Sequence, residues 1–384
     1  MKMNESIHSW ENKQLDIPVH ILRGIYNYGF EKPSNIQINA ILSLKQQRDV
    51  IAQSQSGTGK TAAFVISALL QMDENQQNTQ TLILSPTREL CIQTHKVCME
   101  LSSYTPFTFA LLIGGHTLQE DIQQLQSSPH MIIGSIGRVL DMLQRKYIDP
   151  NYIQLLILDE ADELLSSGFI DALYDIFRYL KEDIQIGMFT ATLPQYVEQI
   201  SKRFMRDPIR LLLKSSELSL EGIKQYKIVL QNDRQKYDTI KDIFNSISVT
   251  QSIIYCNTIQ RVEYIAKQMR KDYFSVIEIH SNMNNKERIS RLEEFKGGKA
   301  RVLISSDITS RGIDIQQVGV VINYDIPNDK HNYLHRIGRS GRWGRKGIAI
   351  NFVTSRDVQK VRAIERHYSI KIEDMPNEFM NFIL

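Results

Sequence analysis

Short apolar runs alternate along the chain with longer segments that are apolar only at every third or fourth residue. The short runs predict buried strands, and the periodic segments predict helices. In the first half we predict strands over residues 49–53, 81–85, 107–113, 131–134, 155–158 and 186–190. Helices are predicted over residues 62–70 and 88–101 and from residue 139 onward. Nearly continuous apolar strands separated by helices are typical of a parallel sheet covered on both faces, so the predicted fold class is α/β.

The alternation pauses at residues 214–222, a polar stretch that we interpret as an interdomain linker. It then restarts, and we predict further strands over residues 252–256, 276–279, 301–305, 320–323 and 348–352. A length of 384 residues suits two domains better than one. We therefore expect two tandem α/β domains, residues 1–213 and 223–384, joined by a short linker.

Composition excludes several classes of protein. A net charge of +3 excludes a strongly basic, histone-like binder but leaves a nucleic-acid partner open if the basic residues cluster. Three cysteines, Cys91, Cys98 and Cys256, give no disulfide framework and fit a reducing compartment. The N-terminal residues lack the apolar region of a secretory signal, and no apolar run approaches the roughly 20 residues that span a bilayer. We therefore expect an intracellular protein without a membrane segment.

A glycine-rich segment, residues 54–61 (Ser-Gln-Ser-Gly-Thr-Gly-Lys-Thr), lies between a predicted strand and a predicted helix. That context is typical of a phosphate-binding loop, although Ser54 stands where the general pattern has its first glycine. The glycines let backbone N–H groups point at an anion, and the helix N-terminus adds partial positive charge. Lys60 would reach the outer phosphates, and the Thr61 hydroxyl would hold Mg²⁺. The alternative is a glycine-rich turn that happens to end in Lys-Thr.

Acidic residues follow the strand predicted over 155–158, where residues 159–162 are Asp-Glu-Ala-Asp. In open α/β sheets, ligands bind at the carboxyl ends of the strands. Asp159 could hold Mg²⁺ through water, and Glu160 could act as the base for an attacking water. The alternative is an acidic helix N-terminus that is stabilised by the helix dipole.

The second half contains arginines interleaved with glycines, residues 335–345 (His-Arg-Ile-Gly-Arg-Ser-Gly-Arg-Trp-Gly-Arg). Arg339 and Arg342 are three residues apart, so on a helical turn they project to the same side. Arginines that stabilise a phosphoryl group in transfer contribute about 10³–10⁵ in rate. If these arginines act in this way, the site is complete only when the two domains close. The alternatives are a solvated basic loop and a contact to a phosphate backbone.

Together these motifs resemble those of the DEAD-box RNA helicases, and the resemblance runs from about Trp10 to the C-terminus. It implies two tandem RecA-like domains of the P-loop NTPase type, with ATP and Mg²⁺ as cofactors. Residues 29–37 are similar to the family's adenine-binding motif. The residues implied in catalysis are Glu160, Lys60, Arg339 and Arg342, and those implied in metal binding are Thr61 and Asp159. The residues implied in nucleotide binding are Phe30, Lys32, Gln37, Ser56, Gly57, Thr58, Gly59, Lys60, Thr61, Ala62, Asp314, Arg339 and Arg342.

The resemblance also implies RNA contacts, made mostly to phosphates and 2′-hydroxyls and so with little sequence specificity. The implied RNA-binding residues are Pro86, Thr87, Arg88, Gly114, Gly115, Arg138, Thr258, Arg288 and Ser306. The residues implied in coupling hydrolysis to strand separation are Asp162, Thr190, Thr192 and His335. Four sites depart from the family pattern: Ser54 for Ala, Ser135-Ile136 for Thr-Pro, Thr190 for Ser, and Asn285 for Gln.

The likeness is greatest to the translation-initiation and exon-junction helicases. Our main hypothesis is an RNA helicase whose RNA-stimulated ATP hydrolysis is coupled to domain closure and to local duplex unwinding or RNP remodelling, in translation initiation. An ATP-gated RNA clamp, with hydrolysis held down by a partner, stays open. A processive DNA translocase fits less well, because such enzymes usually carry extra domains. We expect a monomer that binds RNA, and a protein scaffold or regulator stays open as a further partner. We favour the cytoplasm over the nucleus.

Overall fold

The computed structural model describes residues 7–54, 57–165, 168–212, 223–246, 251–307, 318–340 and 347–376. The chain divides into two compact units, residues 1–213 and 214–384. Each unit contains one sheet of seven strands, and the pairings within both sheets are parallel. The predicted linker, residues 214–222, lies outside the described residues, so its role stays a prediction.

The first unit contains strands and helices in alternation. Its strands are Val50–Gln53 (β1), Thr81–Ser85 (β2), Phe109–Leu112 (β3), Met131–Ser135 (β4), Leu155–Asp159 (β5), Gln185–Thr190 (β6) and Ile209–Leu212 (β7). Its helices are Val19–Asn27 (α1), Asn35–Lys45 (α2), Lys60–Gln71 (α3), Arg88–Leu101 (α4), Leu118–Gln126 (α5), Ile136–Gln144 (α6), Ala161–Leu164 (α7), Ile170–Tyr179 (α8) and Gln195–Phe204 (α9). The strand order is β3-β4-β2-β5-β6-β1-β7. Parallel strands end at one edge, so the segments after β1, β5 and β6 share that edge.

Both faces of this sheet are buried, as its apolar strands require. In β2, Ile83 belongs to a hydrophobic cluster that includes residues of α1 to α4. Its neighbours Leu82 and Leu84 belong to a second cluster, which includes residues of α6 to α9. Successive side chains of a strand point to opposite faces, so one continuous apolar run fills two cores.

The second unit repeats this plan. Its strands are Ile223–Val229 (β8), Ser252–Tyr255 (β9), Val276–Ile279 (β10), Val302–Ser305 (β11), Val320–Asn323 (β12), Gly347–Val353 (β13) and Glu373–Asp374 (β14), in the order β10-β11-β9-β12-β13-β8-β14. Its helices are Gln235–Ser246 (α10), Ile259–Lys271 (α11), Asn285–Lys296 (α12), Lys330–Ile337 (α13) and Val358–Tyr368 (α14). In β9, Ile253 and Ile254 again belong to clusters on opposite faces.

The predicted α/β fold class is confirmed, and the differences lie mainly at element ends. The helix predicted from residue 62 begins at Lys60, directly after Gly59, whose φ of 89° marks the turn into it. The helix predicted from residue 139 begins at Ile136. Three strands, β7, β8 and β14, had no prediction, because their side chains are exposed or only partly buried and their apolar pattern is weak or absent. No helix among the described residues is long and apolar enough to cross a membrane.

Candidate nucleotide and nucleic-acid sites

The sheet order brings the candidate phosphate loop and the acidic segment close to each other. Strand β6 lies between β5 and β1, so residues 190–192 separate the segments that follow these two strands. The Ser54 backbone N–H donates to Thr190 O at 3.1 Å, which joins the start of the loop to the end of β6. Three separate stretches of sequence therefore meet at the carboxyl edge of one sheet, where α/β proteins bind ligands.

The glycine-rich loop has the backbone that its sequence predicts. Gly57 and Gly59 have φ angles of 84° and 89°, which favour glycine because it lacks a Cβ atom. The loop is closed by Lys60 Nζ, which donates to Ser54 O, and by a 2.7 Å bond between the Ser54 and Thr58 hydroxyls. Thr61 and Ala62 follow in the first turn of α3, where N–H groups lack helical partners and attract anions. Ser56 lies outside the described residues.

The segment before α2 is bonded to this loop. Gln37 is buried, and its Oε1 accepts from the Ser34 backbone N–H at 2.7 Å. Its Nε2 donates to Gly59 O at 3.4 Å, and Ser34 Oγ donates to Thr58 O at 3.0 Å. A Cβ atom at Gly59 would lie 2.4 Å from Gln37 Nε2, and the φ of 89° at this position also favours glycine. Gln37 therefore supports the phosphate loop, a contact that sequence reasoning missed.

The two other residues of that motif differ in exposure. Phe30 is half-buried and stacks on Tyr28 with ring centroids 4.7 Å apart. Lys32 is exposed. A partly open aromatic surface and a nearby cation are compatible with a base and its phosphates, and their role toward adenine stays a prediction.

The acidic segment begins inside the sheet and ends in a strained turn. Asp159 is the last residue of β5 and is 3% exposed. Burial, with the neighbouring Glu160 carboxylate, raises the pKa of Asp159, while the positive charge of Lys60 opposes that shift. Glu160 has a φ of 47°, unusual for a residue with a Cβ atom, and its N–H donates to Asp159 Oδ1 at 3.0 Å. Such backbone strain is often found at active sites.

These residues fit a hard divalent cation. The buried Asp159 Oδ2 has no hydrogen-bond partner among the described residues. An oxygen of this kind is a preferred ligand of Mg²⁺. Asp159 ends β5 and Lys60 follows β1, and these strands flank β6, so both residues belong to the same edge of the sheet. The Thr61 hydroxyl, next to Lys60, supplies a second oxygen of the same chemistry.

The predicted coupling residues of the first unit are bonded to one another. Thr192 Oγ1 donates to Asp162 Oδ2 at 2.5 Å, and both residues are buried. Thr190 Oγ1 donates to Thr192 O at 2.6 Å. Tyr196 Oη donates to Asp162 O at 2.7 Å. The acidic segment is therefore tied to the end of β6, which in turn bonds to the phosphate loop.

Three of the six predicted RNA contacts of the first unit, Arg88, Gly114 and Arg138, line a surface cavity of about 410 Å³. Arg88 begins α4 after Pro86 and Thr87, and the Thr87 hydroxyl accepts from Leu90 N at 3.2 Å as the helix cap. Gly114 and Gly115 follow β3, and Arg138 lies in the first turn of α6. The cavity is lined by Arg88, Gly114, Leu118, Ser135, Gly137, Arg138, Asp141 and Arg145. Three arginines beside glycine backbone make a surface suited to phosphate groups.

In the second unit, Thr258 and Ser306 follow the neighbouring strands β9 and β11 at the carboxyl edge. Thr258 caps α11, where its hydroxyl accepts from Arg261 N at 3.3 Å. Arg288 is half-buried in α12. Asp314 and Arg342 lie outside the described residues.

Arg336, to which sequence reasoning gave no role, makes hydrogen bonds to residues after three different strands. It is fully buried in α13. Its guanidinium donates to Asp307 Oδ1 at 2.5 Å, Asp325 O at 2.7 Å and Asn257 Oδ1 at 2.8 Å. These acceptors follow β11, β12 and β9, so Arg336 fixes α13 against three strand ends. Its position between two predicted site residues was the only sequence signal.

The flanking residues His335 and Arg339 are also buried, at 1% and 3% exposure. Arg339 follows the end of α13, and its Nε donates to His335 O at 3.2 Å. The backbone that carries both residues is thus fixed by the bonds of Arg336.

Comparison with known proteins agrees with this geometry. Residues 34–200 match the family model described as DEAD/DEAH box helicase, and residues 235–344 match the helicase conserved C-terminal domain. The chain is 49% identical over 362 residues to the ATP-dependent RNA helicase eIF4A of Candida albicans, covering 94% of this chain and 91% of that protein.

Two solved structures of S. cerevisiae Dbp5 have the same architecture. Dbp5 bound to RNA and ADP BeF3 aligns with a TM-score of 0.90 and 32% identity, over 97% of this chain and 98% of that chain. A single-residue variant of Dbp5, bound to a variant of Gle1 and to IP6, aligns with a TM-score of 0.80 and 32% identity, over 97% and 95% of the two chains. The predicted pair of RecA-like domains is confirmed.

Proposed function

The chain belongs to the DEAD/DEAH box helicase family and is an ATP-dependent RNA helicase, and we propose that it couples ATP hydrolysis to local opening of RNA duplexes in translation initiation. The observation that carries this proposal is that the loop with Lys60 and the segment with Asp159 and Glu160 follow β1 and β5, which flank β6 at the carboxyl edge of one sheet. The arginine-lined cavity follows β2, β3 and β4 of the same sheet. One domain thus offers a phosphate site and a nucleic-acid surface, both supported by parallel strands.

In the proposed site, Lys60 and the N–H groups at the start of α3 bind the phosphates of ATP. Mg²⁺, when bound, would be held by Thr61 and Asp159 and would neutralise charge on the β- and γ-phosphates. Glu160 orients the attacking water and accepts its proton. Its φ of 47° turns the chain directly after β5, and its N–H is held by Asp159. The two carboxylates therefore have separate tasks.

The RNA surface is proposed to bind phosphates and riboses with little reading of bases. Support comes from the cavity lining, whose charged residues are three arginines, Arg88, Arg138 and Arg145, and one aspartate, Asp141. We further propose that the arginines of the second domain complete the phosphate site when the domains close. A protein regulator and the cytoplasm stay predictions from the sequence.

Phosphate release with and without single-stranded RNA tests the proposed function. We expect RNA to raise ATP turnover several-fold and ATP to drive separation of a short RNA duplex. Turnover that is equal with and without RNA would contradict the coupling. Equal activity on DNA duplexes would favour the translocase alternative, and RNA release that is slow in ATP would favour the clamp.

Thr192→Val should reduce duplex separation more than it reduces phosphate release. The change keeps the side-chain shape but removes the hydroxyl that donates to the buried Asp162 carboxylate. Loss of such a bond destabilises a protein by about 1.5–3 kcal/mol, so the melting temperature should also fall. Both activities and thermal unfolding are measured on the same preparation.

Thr94→Val is the matched control for Thr192→Val. Thr94 is equally buried, but its hydroxyl has no hydrogen-bond partner among the described residues. This control should leave the ratio of unwinding to hydrolysis unchanged. An identical ratio in Thr192→Val would show that the bond to Asp162 has no part in coupling.

A further inference from the structure

A buried ion pair lies behind the arginine-lined cavity. Asp121, in α5, is fully buried, and its Oδ2 accepts from Arg138 Nη1 at 2.5 Å. The Arg138 side chain retains 17% exposure and lines the cavity. A carboxylate removed from water is stable only when it is paired and hydrogen-bonded, so this pair holds the Arg138 guanidinium at the cavity wall.

Arg138 also fastens the loop after β3. Its Nη2 donates to His116 O at 2.9 Å, and His116 Nδ1 lies 3.4 Å from Asp121 Oδ1. The loop preceding His116 contains Gly114 and Gly115, where a Cβ atom at Gly114 would lie 2.6 Å from Arg88 Nη2. Arg138 thus joins the glycine loop to the start of α6, and the Arg88 side chain at the start of α4 lies against Gly114 of that loop.

The negative charge of Asp121 separates two effects on RNA binding, the electrostatic effect of the carboxylate itself and its positioning of Arg138. A carboxylate behind a phosphate-binding surface repels the ligand, so by charge alone its removal should tighten binding. The planar guanidinium has five N–H groups, and the bonds to Asp121 and His116 occupy two of them in a fixed orientation. The remaining edge is thereby oriented before any ligand arrives.

We propose that Asp121 is a positioning residue, which orients Arg138 and joins it to the Gly114–His116 loop so that both meet one stretch of nucleic-acid backbone. This inference rests on the proposed RNA-binding function. It assigns a role to a helix, α5, in which no site residue was predicted.

Asp121→Asn tests the inference by the sign of its effect. We expect RNA affinity to fall about tenfold, the effect of losing one well-oriented charge-assisted contact, although the substitution makes the surface more positive. Affinity is measured by fluorescence anisotropy with labelled single-stranded RNA over a range of salt. The slope of log K against log salt should become shallower by the amount that corresponds to about one lost phosphate contact. A loss of packing alone would not change this slope.

Asp175→Asn is the charge-matched control. Asp175, in α8 of the same domain, is not among the residues that line the cavity, and its carboxylate pairs with Arg178 at 2.8 Å in a partly exposed i,i+3 bridge. Its loss should leave RNA affinity equal to that of the wild type. Asp121→Asn binding as tightly as the wild type, or more tightly, would overturn the inference.

The double variant Asp121→Asn/Arg138→Ala tests the route of the effect. If Asp121 acts through Arg138, the double variant binds RNA no more weakly than Arg138→Ala alone. Additive losses would overturn the inference.

If thermal unfolding shows that Asp121→Asn is not folded, RNA affinity is measured for Arg138→Lys instead. Lysine keeps the positive charge but lacks the planar, forked guanidinium that Asp121 orients. Affinity near wild type in Arg138→Lys would overturn the inference, and a loss like that of Arg138→Ala would support it. A wild-type protein that binds no RNA would instead refute the proposed function.

Discussion

Replacing Glu160 by Gln should lower RNA-stimulated phosphate release by about 10²–10⁴-fold, the contribution of a general base, while ATP binding persists. Glutamine has nearly the same size and can adopt the same backbone, but its amide cannot accept a proton at neutral pH. The donor in the hydrogen bond to Asp159 Oδ1 is the backbone N–H of residue 160, so the substitution keeps this bond. Phosphate release and fluorescent-nucleotide binding are measured on one preparation.

Glu163→Gln is the matched control for this substitution. Glu163 lies in the short helix α7, which begins directly after the proposed base, and it is a glutamate like Glu160. It should hydrolyse ATP at a rate close to wild type. If Glu160→Gln released phosphate as fast as Glu163→Gln, Glu160 would not be the base, and the water would be activated by another group.

Replacing Arg339 by Ala should reduce phosphate release by about 10³-fold or more, the range of arginines that stabilise phosphoryl transfer. The guanidinium is held at its Nε by His335 O at 3.2 Å, and the backbone behind it is fixed by the buried Arg336. A side chain held in this way loses little conformational entropy when it binds a phosphate. RNA affinity without nucleotide should change far less than turnover.

Arg339→Lys separates charge from geometry in the same position. Lysine keeps the positive charge but not the planar fork, so most of the loss should remain. Arg362→Ala, at an exposed position of α14 in the same domain, serves as the control and should behave as wild type. Thermal unfolding identifies a loss that comes from misfolding. Full turnover in a folded Arg339→Ala protein would remove this arginine from the catalytic site.

Local patterns were enough to predict most strands of the two sheets and the turns of the glycine-rich loop. Continuous apolar runs such as Thr81–Ser85 are buried on both faces and predict parallel strands without ambiguity. The glycines of the phosphate loop are required by their own backbone angles. By contrast, β8 is only partly buried, and Lys224, Gln225 and Lys227 interrupt its apolar residues. Its place in the sheet depends on its pairing with β13. Because β13 lies far away along the chain, the residues around β8 do not reveal this pairing.

The sequence by itself determined the two-domain α/β fold, the phosphate loop and the carboxylates after β5, because each is encoded in a few consecutive residues. Only the tertiary structure decided that Gln37 supports Gly59, that Arg336 joins three strand ends, and that Asp121 holds Arg138. The partners in these contacts are separated by 11 to 79 residues along the chain. Burial makes such polar groups find partners, but which partner is near is settled by the packing of strands and helices.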